Sequence, residues 1–122
     1  MKYLCMVIVD EKKLKALSKS DSRALDDESL AFDDTLRKSG HYLAAQALES
    51  VKEAKTVRLQ KGKVFVTDGP FAETKEQVGG FILIEAKNLN EAIQLASKIP
   101  AIRLGTVEVR PVKELVANSP RK

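Results

Sequence analysis

An α+β domain, built on a four-stranded split βαβ sheet with two helices on one face and an inserted β-hairpin, is the fold this sequence predicts. Three observations lead there. Two segments far apart in the chain carry apolar residues at consecutive positions, as central strands covered on both faces must. A third segment alternates apolar and polar residues, as a half-exposed strand does. Two further stretches place apolar residues at helical spacing, so the order is β-α-β-(hairpin)-β-α-β.

The run Lys2-Tyr3-Leu4-Cys5-Met6-Val7-Ile8-Val9 is the first central strand. After a polar stretch, Leu25, Ser29, Phe32 and Leu36 fall at helical spacing, with the three apolar members forming a stripe, and Gly40 is placed to end that helix. Residues 41–48 read as a second strand or extended segment. Thr56–Leu59 and Lys63–Thr67 flank Gln60-Lys61-Gly62, a hairpin with a glycine-bearing loop. Phe81–Ile84 is the second run apolar on both faces. Asn88 followed by Glu91 three residues later reads as a capping box opening the second helix. Leu89, Ala92, Ile93, Ala96 and Ile99 give that helix its apolar face, and Pro100 stops it. Thr106–Arg110 is the alternating strand.

In a split βαβ sheet the first and third main strands are central and the other two are edges. The fully apolar runs occupy the first and third places, and the alternating run the fourth. Two helices cover one face of such a sheet. The apolar side chains aimed at the other face therefore predict a partner, and a second copy of the chain is the simplest one, a homodimer.

At 122 residues the chain is expected to form one domain over residues 1–113 with a tail at 114–122. A chain of this size buries roughly two-thirds of its unfolded surface, enough for a core without disulfide or metal staples. The net charge of +4 is mild and uneven. Asp21, Asp26, Asp27, Glu28, Asp33 and Asp34 make the first helix acidic, while Arg110, Lys113, Arg121 and Lys122 bias the C-terminal segment basic. With scattered basic residues and 5% aromatics, the composition argues against nucleic-acid binding. The lone Cys5 excludes an internal disulfide and a cysteine-rich zinc site, and is expected to be buried and inert. No apolar run approaches the ~20 residues that cross a bilayer. The chain opens directly on a strand without a signal-like cleavage site, so the expected location is cytoplasmic, with no membrane partner. No phosphate-binding loop, dinucleotide fingerprint or nucleophile elbow is present, so no cofactor is expected. His41 is the sole histidine, which excludes a multi-histidine metal site within one chain.

The chemistry is concentrated in Asp68-Gly69-Pro70-Phe71-Ala72-Glu73-Thr74-Lys75-Glu76-Gln77-Val78-Gly79-Gly80. Asp68 at the end of a strand either forms a turn with Gly69 and Pro70 or presents a carboxylate beside a pocket. Phe71 reads as an anchor in the core or a dimer contact, or else as a platform for a ligand. Glu73, Lys75 and Glu76 form either a solvated run of ion pairs or a set facing a cleft, with Lys75 steadying an anionic group. Gly79 and Gly80 suggest a bulge or a close backbone approach. His41, after Gly40, is a junction residue or a general base. In the second case it needs a carboxylate, for which Asp68 and Glu73 are the candidates.

The block Thr67–Glu76 with Gly79-Gly80-Phe81 resembles the signature of the DGPF branch of the YCII-related proteins. Lys2-Tyr3-Leu4 at the start, and Ala92, Ala96, Pro100 and Val107–Pro111 near the end, extend the resemblance along nearly the whole chain. It implies a ferredoxin-like protomer pairing into a dimeric α+β barrel. Members of the wider group have been proposed as enzymes using a His-Asp pair, and a few act in breakdown of halogenated aromatics. DGPF-type members often accompany extracytoplasmic-function sigma factors. In the enzyme-like branch the proposed histidine lies in the first helix, about three turns before the glycine that ends it. That neighbourhood here is Glu28-Ser29-Leu30, so the dyad does not carry over.

The combined expectation is a cytoplasmic homodimer with a cleft lined partly by the DGPF loop, binding a small polar or aromatic molecule. Chemistry there would be proton transfer or a lyase-like step, with Asp68 and His41 catalytic and Phe71, Glu73, Lys75 and Glu76 holding the substrate. The alternative is a non-catalytic regulatory or interaction module, a sigma-factor accessory, with an exposed apolar or acidic patch on the first helix in place of a deep pocket.

Overall fold

A computed structural model describes residues 1–118; the end of the predicted tail, with Arg121 and Lys122, lies outside them. The chain runs β1 (Lys2–Asp10), α1 (Glu11–Lys15), α2 (Lys19–Lys38), β2 (Tyr42–Ala47), β3 (Lys55–Gln60), β4 (Lys63–Asp68), β5 (Glu76–Glu85), α3 (Leu89–Ala96) and β6 (Gly105–Pro111). Short 3-10 turns at Val51–Glu53 and Pro100–Leu104 precede β3 and β6. The main sheet is antiparallel throughout, in the order β2-β5-β1-β6. This is the ferredoxin-like sheet, with the two consecutive apolar runs in the centre.

Because strand residues alternate in direction, one face of β1 presents Tyr3, Cys5, Val7 and Val9, all buried against the helices. Ile82 and Ile84 of β5, Leu36 of α2, Ala92 and Ala96 of α3, and Ile99 complete the core. Each large side chain taken out of water there contributes about 1.5–3 kcal/mol. Burial pushes the Cys5 thiol up to about 11, which leaves it inert as expected. The other face carries three apolar register pairs, Leu4 with Leu83, Met6 with Phe81 and Ile8 with Val78, and none of these six side chains belongs to the core.

The first helical region is longer than its apolar stripe. Asp10 caps α1 by accepting from the Lys12 amide, and Ser18 caps α2 by accepting from the Asp21 amide at 3.1 Å. Local capping, which needs no apolar face, starts both helices in what reads as a polar stretch. Gly40 ends α2 with φ 79°, and His41 N donates to Leu36 O while Gly40 N donates to Arg37 O, a Schellman closure. In α3 the small residues carry the packing. Ala92 and Ala96 are buried, whereas Leu89 and Ile93, expected on the same apolar face, are nearly half exposed. Alanines allow the helix to approach the sheet closely, and the larger residues then flank the contact. The helix ends at Ala96, and Pro100 opens the following 3-10 turn.

The inserted hairpin forms a sheet of its own, separate from the main one. Lys61 and Gly62 both have positive φ, 49° and 76°, the two-residue turn whose twist suits antiparallel strands. One face pairs Val57 with Val66 and Leu59 with Val64, and all four are between 61% and 72% exposed. The chain exposes 9335 Å², against about 6,500 Å² for a compact monomer of its mass. A projecting hairpin has this effect.

Candidate functional site

The densest polar segment is held together by its own bonds. Asp68 ion-pairs with Lys55 across the hairpin, and its side chain is 88% exposed. The hydrogen bond and charge of Lys55 hold the Asp68 carboxyl below the usual range. Gly69 N donates to Ala54 O at 2.8 Å and Thr56 Oγ1 donates to Gly69 O at 2.8 Å, closing the base of the hairpin. Gln77 Nε2 donates to the carbonyls of Ala72 and Thr74, and Thr74 Oγ1 donates to Glu76 O, so the loop folds around one amide side chain. Lys75 lies 3.9 Å from the buried carboxylate of Asp10, and Glu76 opens β5 opposite Asp10. Phe71 is 82% exposed with the Arg58 guanidinium 5.5 Å from its ring centre, so it is not an anchor of this protomer's core. Glu73 borders a shallow hollow of about 340 Å³ together with Lys52, Pro70 and Gln77.

His41 sits elsewhere. Its Nδ1 lies 2.7 Å from Ser39 Oγ and its Nε2 lies 3.2 Å from Glu91 Oε1. The carboxylate beside the histidine therefore comes from α3, and neither Asp68 nor Glu73 is its partner. Glu91 also accepts from the Lys87 amide at 3.0 Å, and its own amide donates to Asn88 Oδ1, the capping arrangement that the spacing predicts. The Lys87 amide first, and His41 after it, hold the Glu91 carboxyl below its ordinary range. An ionised Glu91 requires the proton on Nε2, so His41 ties the end of α2 to the start of α3.

A hollow of about 480 Å³ opens between α2 and the strands β2 and β5. Asp26, Ser29 and Asp33 line it from α2, at spacings of three and four residues that put them on one helical face. Phe32, Ile82 and Ile99 supply apolar wall. Its floor is Gly79 and Gly80. The register between β1 and β5 slips at this point, pairing Val7 with Gly80 and Ile8 with Val78, so Gly79 is the extra residue of a bulge. A Cβ on Gly80 would lie 2.9 Å from the Gln46 carbonyl oxygen, and one on Gly79 would lie 2.7 Å from Val9 Cγ2. Close packing against β2 and β1 thus requires the two glycines, and it leaves bare backbone under the cleft. Loss of solvent pushes the Asp33 carboxyl above its ordinary range, with Arg37 opposing and Asp34 adding to the effect.

The glycine pair points to this place in the sequence, but the carboxylates do not. Asp26 and Asp33 read as members of an acidic surface. The usable signal is Ser29, a polar residue within the apolar stripe of α2 and in the neighbourhood where the resemblance places a histidine.

The fold is thus that of a ferredoxin-like α+β protein with a cleft between its first long helix and the sheet. The model of the YCII-related domain matches residues 1–116. An uncharacterised protein of Rhizobium meliloti (strain 1021) is 33% identical over 114 residues, covering 92% of both chains. The chain belongs to the YCII-related domain family.

Proposed function

We propose that this chain, as a DGPF-type member of the family, is a small-molecule-binding protein whose ligand occupies the cleft between α2 and the strands β2 and β5. The observation that carries this reading is the cleft itself: about 480 Å³, apolar walls, a backbone floor and a few convergent polar groups from one helix face. In this reading Asp68 and His41 belong to the scaffold, because each is already engaged with a partner of its own. An NMR screen of the folded chain with a set of small aromatic and polar fragments tests it. Binding that shifts the amides of Ala45, Gly79 and Gly80 supports the reading. Shifts confined to the 68–77 loop would transfer the site to Phe71, Glu73, Lys75 and Glu76.

The working form is a cytoplasmic homodimer. Its support is the open sheet face with Leu4, Met6, Ile8, Phe81 and Leu83, together with the exposed apolar face of the hairpin. Among the described residues no helix is long and apolar enough to cross a membrane. Native mass spectrometry should show twice the chain mass, and Leu83→Arg should shift the protein to monomer without unfolding it. A wild-type monomer at micromolar concentration would sink the dimer.

A further inference from the structure

We infer that the cleft selects a small organic cation, a protonated amine on an apolar body, with Asp33 as the anchor for the ammonium group; this rests on the cleft being the ligand site. The lining contains two carboxylates, Asp26 and Asp33, and no lysine, arginine or histidine. Two cations beside α2 have carboxylate partners of their own. Arg37, one turn beyond Asp33, bonds Asp34 at 2.6 Å and lies over the Tyr42 ring at 4.2 Å. Arg103 bonds Glu28 at 2.8 Å.

Asp33 is half-buried, and among the described residues no hydrogen bond or ion pair satisfies it. A carboxylate that has lost water without gaining a partner is a poor element of a scaffold and a ready acceptor for a charged donor. Asp26 lies two turns earlier, about 10.5 Å along the helix axis, and adds negative potential at the exposed end. An anionic ligand would meet two like charges. A neutral one would leave Asp33 unpaired or give it only a neutral hydrogen bond, weaker than one from a charged donor. An ammonium group satisfies it with short charge-assisted hydrogen bonds. Phe32 lines the same space, and an aromatic face also attracts a cation while it accepts an apolar body.

Matched probes separate the charge from the shape: phenethylamine, phenethyl alcohol and hydrocinnamate, together with their naphthyl counterparts, titrated into the full chain by NMR. The expected result is that the amines shift the Ala45, Gly79 and Gly80 amides at concentrations about tenfold lower than the alcohols, with the carboxylates weakest. Asp33→Asn should remove the preference for the amine, whereas Asp27→Asn, which neutralises a carboxylate outside the cleft lining, should retain it. Amide fingerprints of both variants confirm the fold. Equal binding of all three probe types at these amides overturns the cation preference and leaves the cleft as the site. Equal loss in the two variants reduces the effect to net charge and also overturns it. No shift at these amides with any probe removes both the cation and the cleft reading.

Discussion

The two polar regions of this molecule differ in whether their charges have partners. The 68–77 segment is crowded with ionisable groups, yet Asp68 is held by Lys55, Lys75 faces Asp10, and Gln77 gathers the loop carbonyls. The cleft holds fewer polar groups, but Asp33 has no partner among the described residues and is half out of water. Polar density in a sequence therefore marks a well-tied turn here, and a sparse, unpaired group marks the place with chemistry to spare.

The largest test of this contrast concerns support. Leu36, 1% exposed, fixes α2 and hence the carboxylates it carries. Leu36→Ala should cost about 2–5 kcal/mol by urea unfolding and abolish cleft binding. No single truncation within residues 71–76 should approach that cost.

The next test concerns a paired carboxylate that anchors the loop region. Glu11 accepts from Val51 N at 2.9 Å and Ser50 Oγ at 2.7 Å, and these bonds hold its carboxyl below the usual range. A lowered folded value means stability present above the unfolded value and lost as pH falls through the folded one. Wild type should lose stability across that acid range, and Glu11→Gln should show a flatter profile from a lower plateau at neutral pH.

Asp33 carries the opposite sign. Its folded value is raised, so the ionised form burdens the fold above that value and the burden vanishes on acidification. Asp33→Asn should stabilise the protein at neutral pH and bring little change in acid, a gain in stability at the expense of binding. If Asp33→Asn destabilises the fold at neutral pH, the carboxylate has a structural partner and the contrast collapses. Asp68→Asn should give the smallest effect, a slight lowering of the urea midpoint with cleft binding unchanged, because exposed pairs contribute little.

Much of the architecture was legible in the sequence because it depends on patterns along one strand or one helix. The consecutive apolar runs fixed β1 and β5 as central, Gly40 ended α2, and the Asn88–Glu91 spacing opened α3. What escaped depends on distance between elements. Leu89 and Ile93 turned outward because Ala92 and Ala96 permit close packing, and no periodicity distinguishes those outcomes. His41 found Glu91, fifty positions away in the chain, through the packing of two helix ends. The cleft needed both the closeness of β2 to Gly80 and the pairing of Arg37 with Asp34 in place of Asp33, and neither can be read from local sequence.

The hairpin enters and leaves the domain through a single doorway, since Ala54 and Gly69 are hydrogen-bonded neighbours. Everything between them adds only a short excursion to the chain path, so its length can change at little entropic cost. The β2-β5-β1-β6 order would be indifferent to such a change. Residues 55–68 thus form a replaceable appendage, one that could be shortened, exchanged or decorated while the sheet and the cleft keep their geometry.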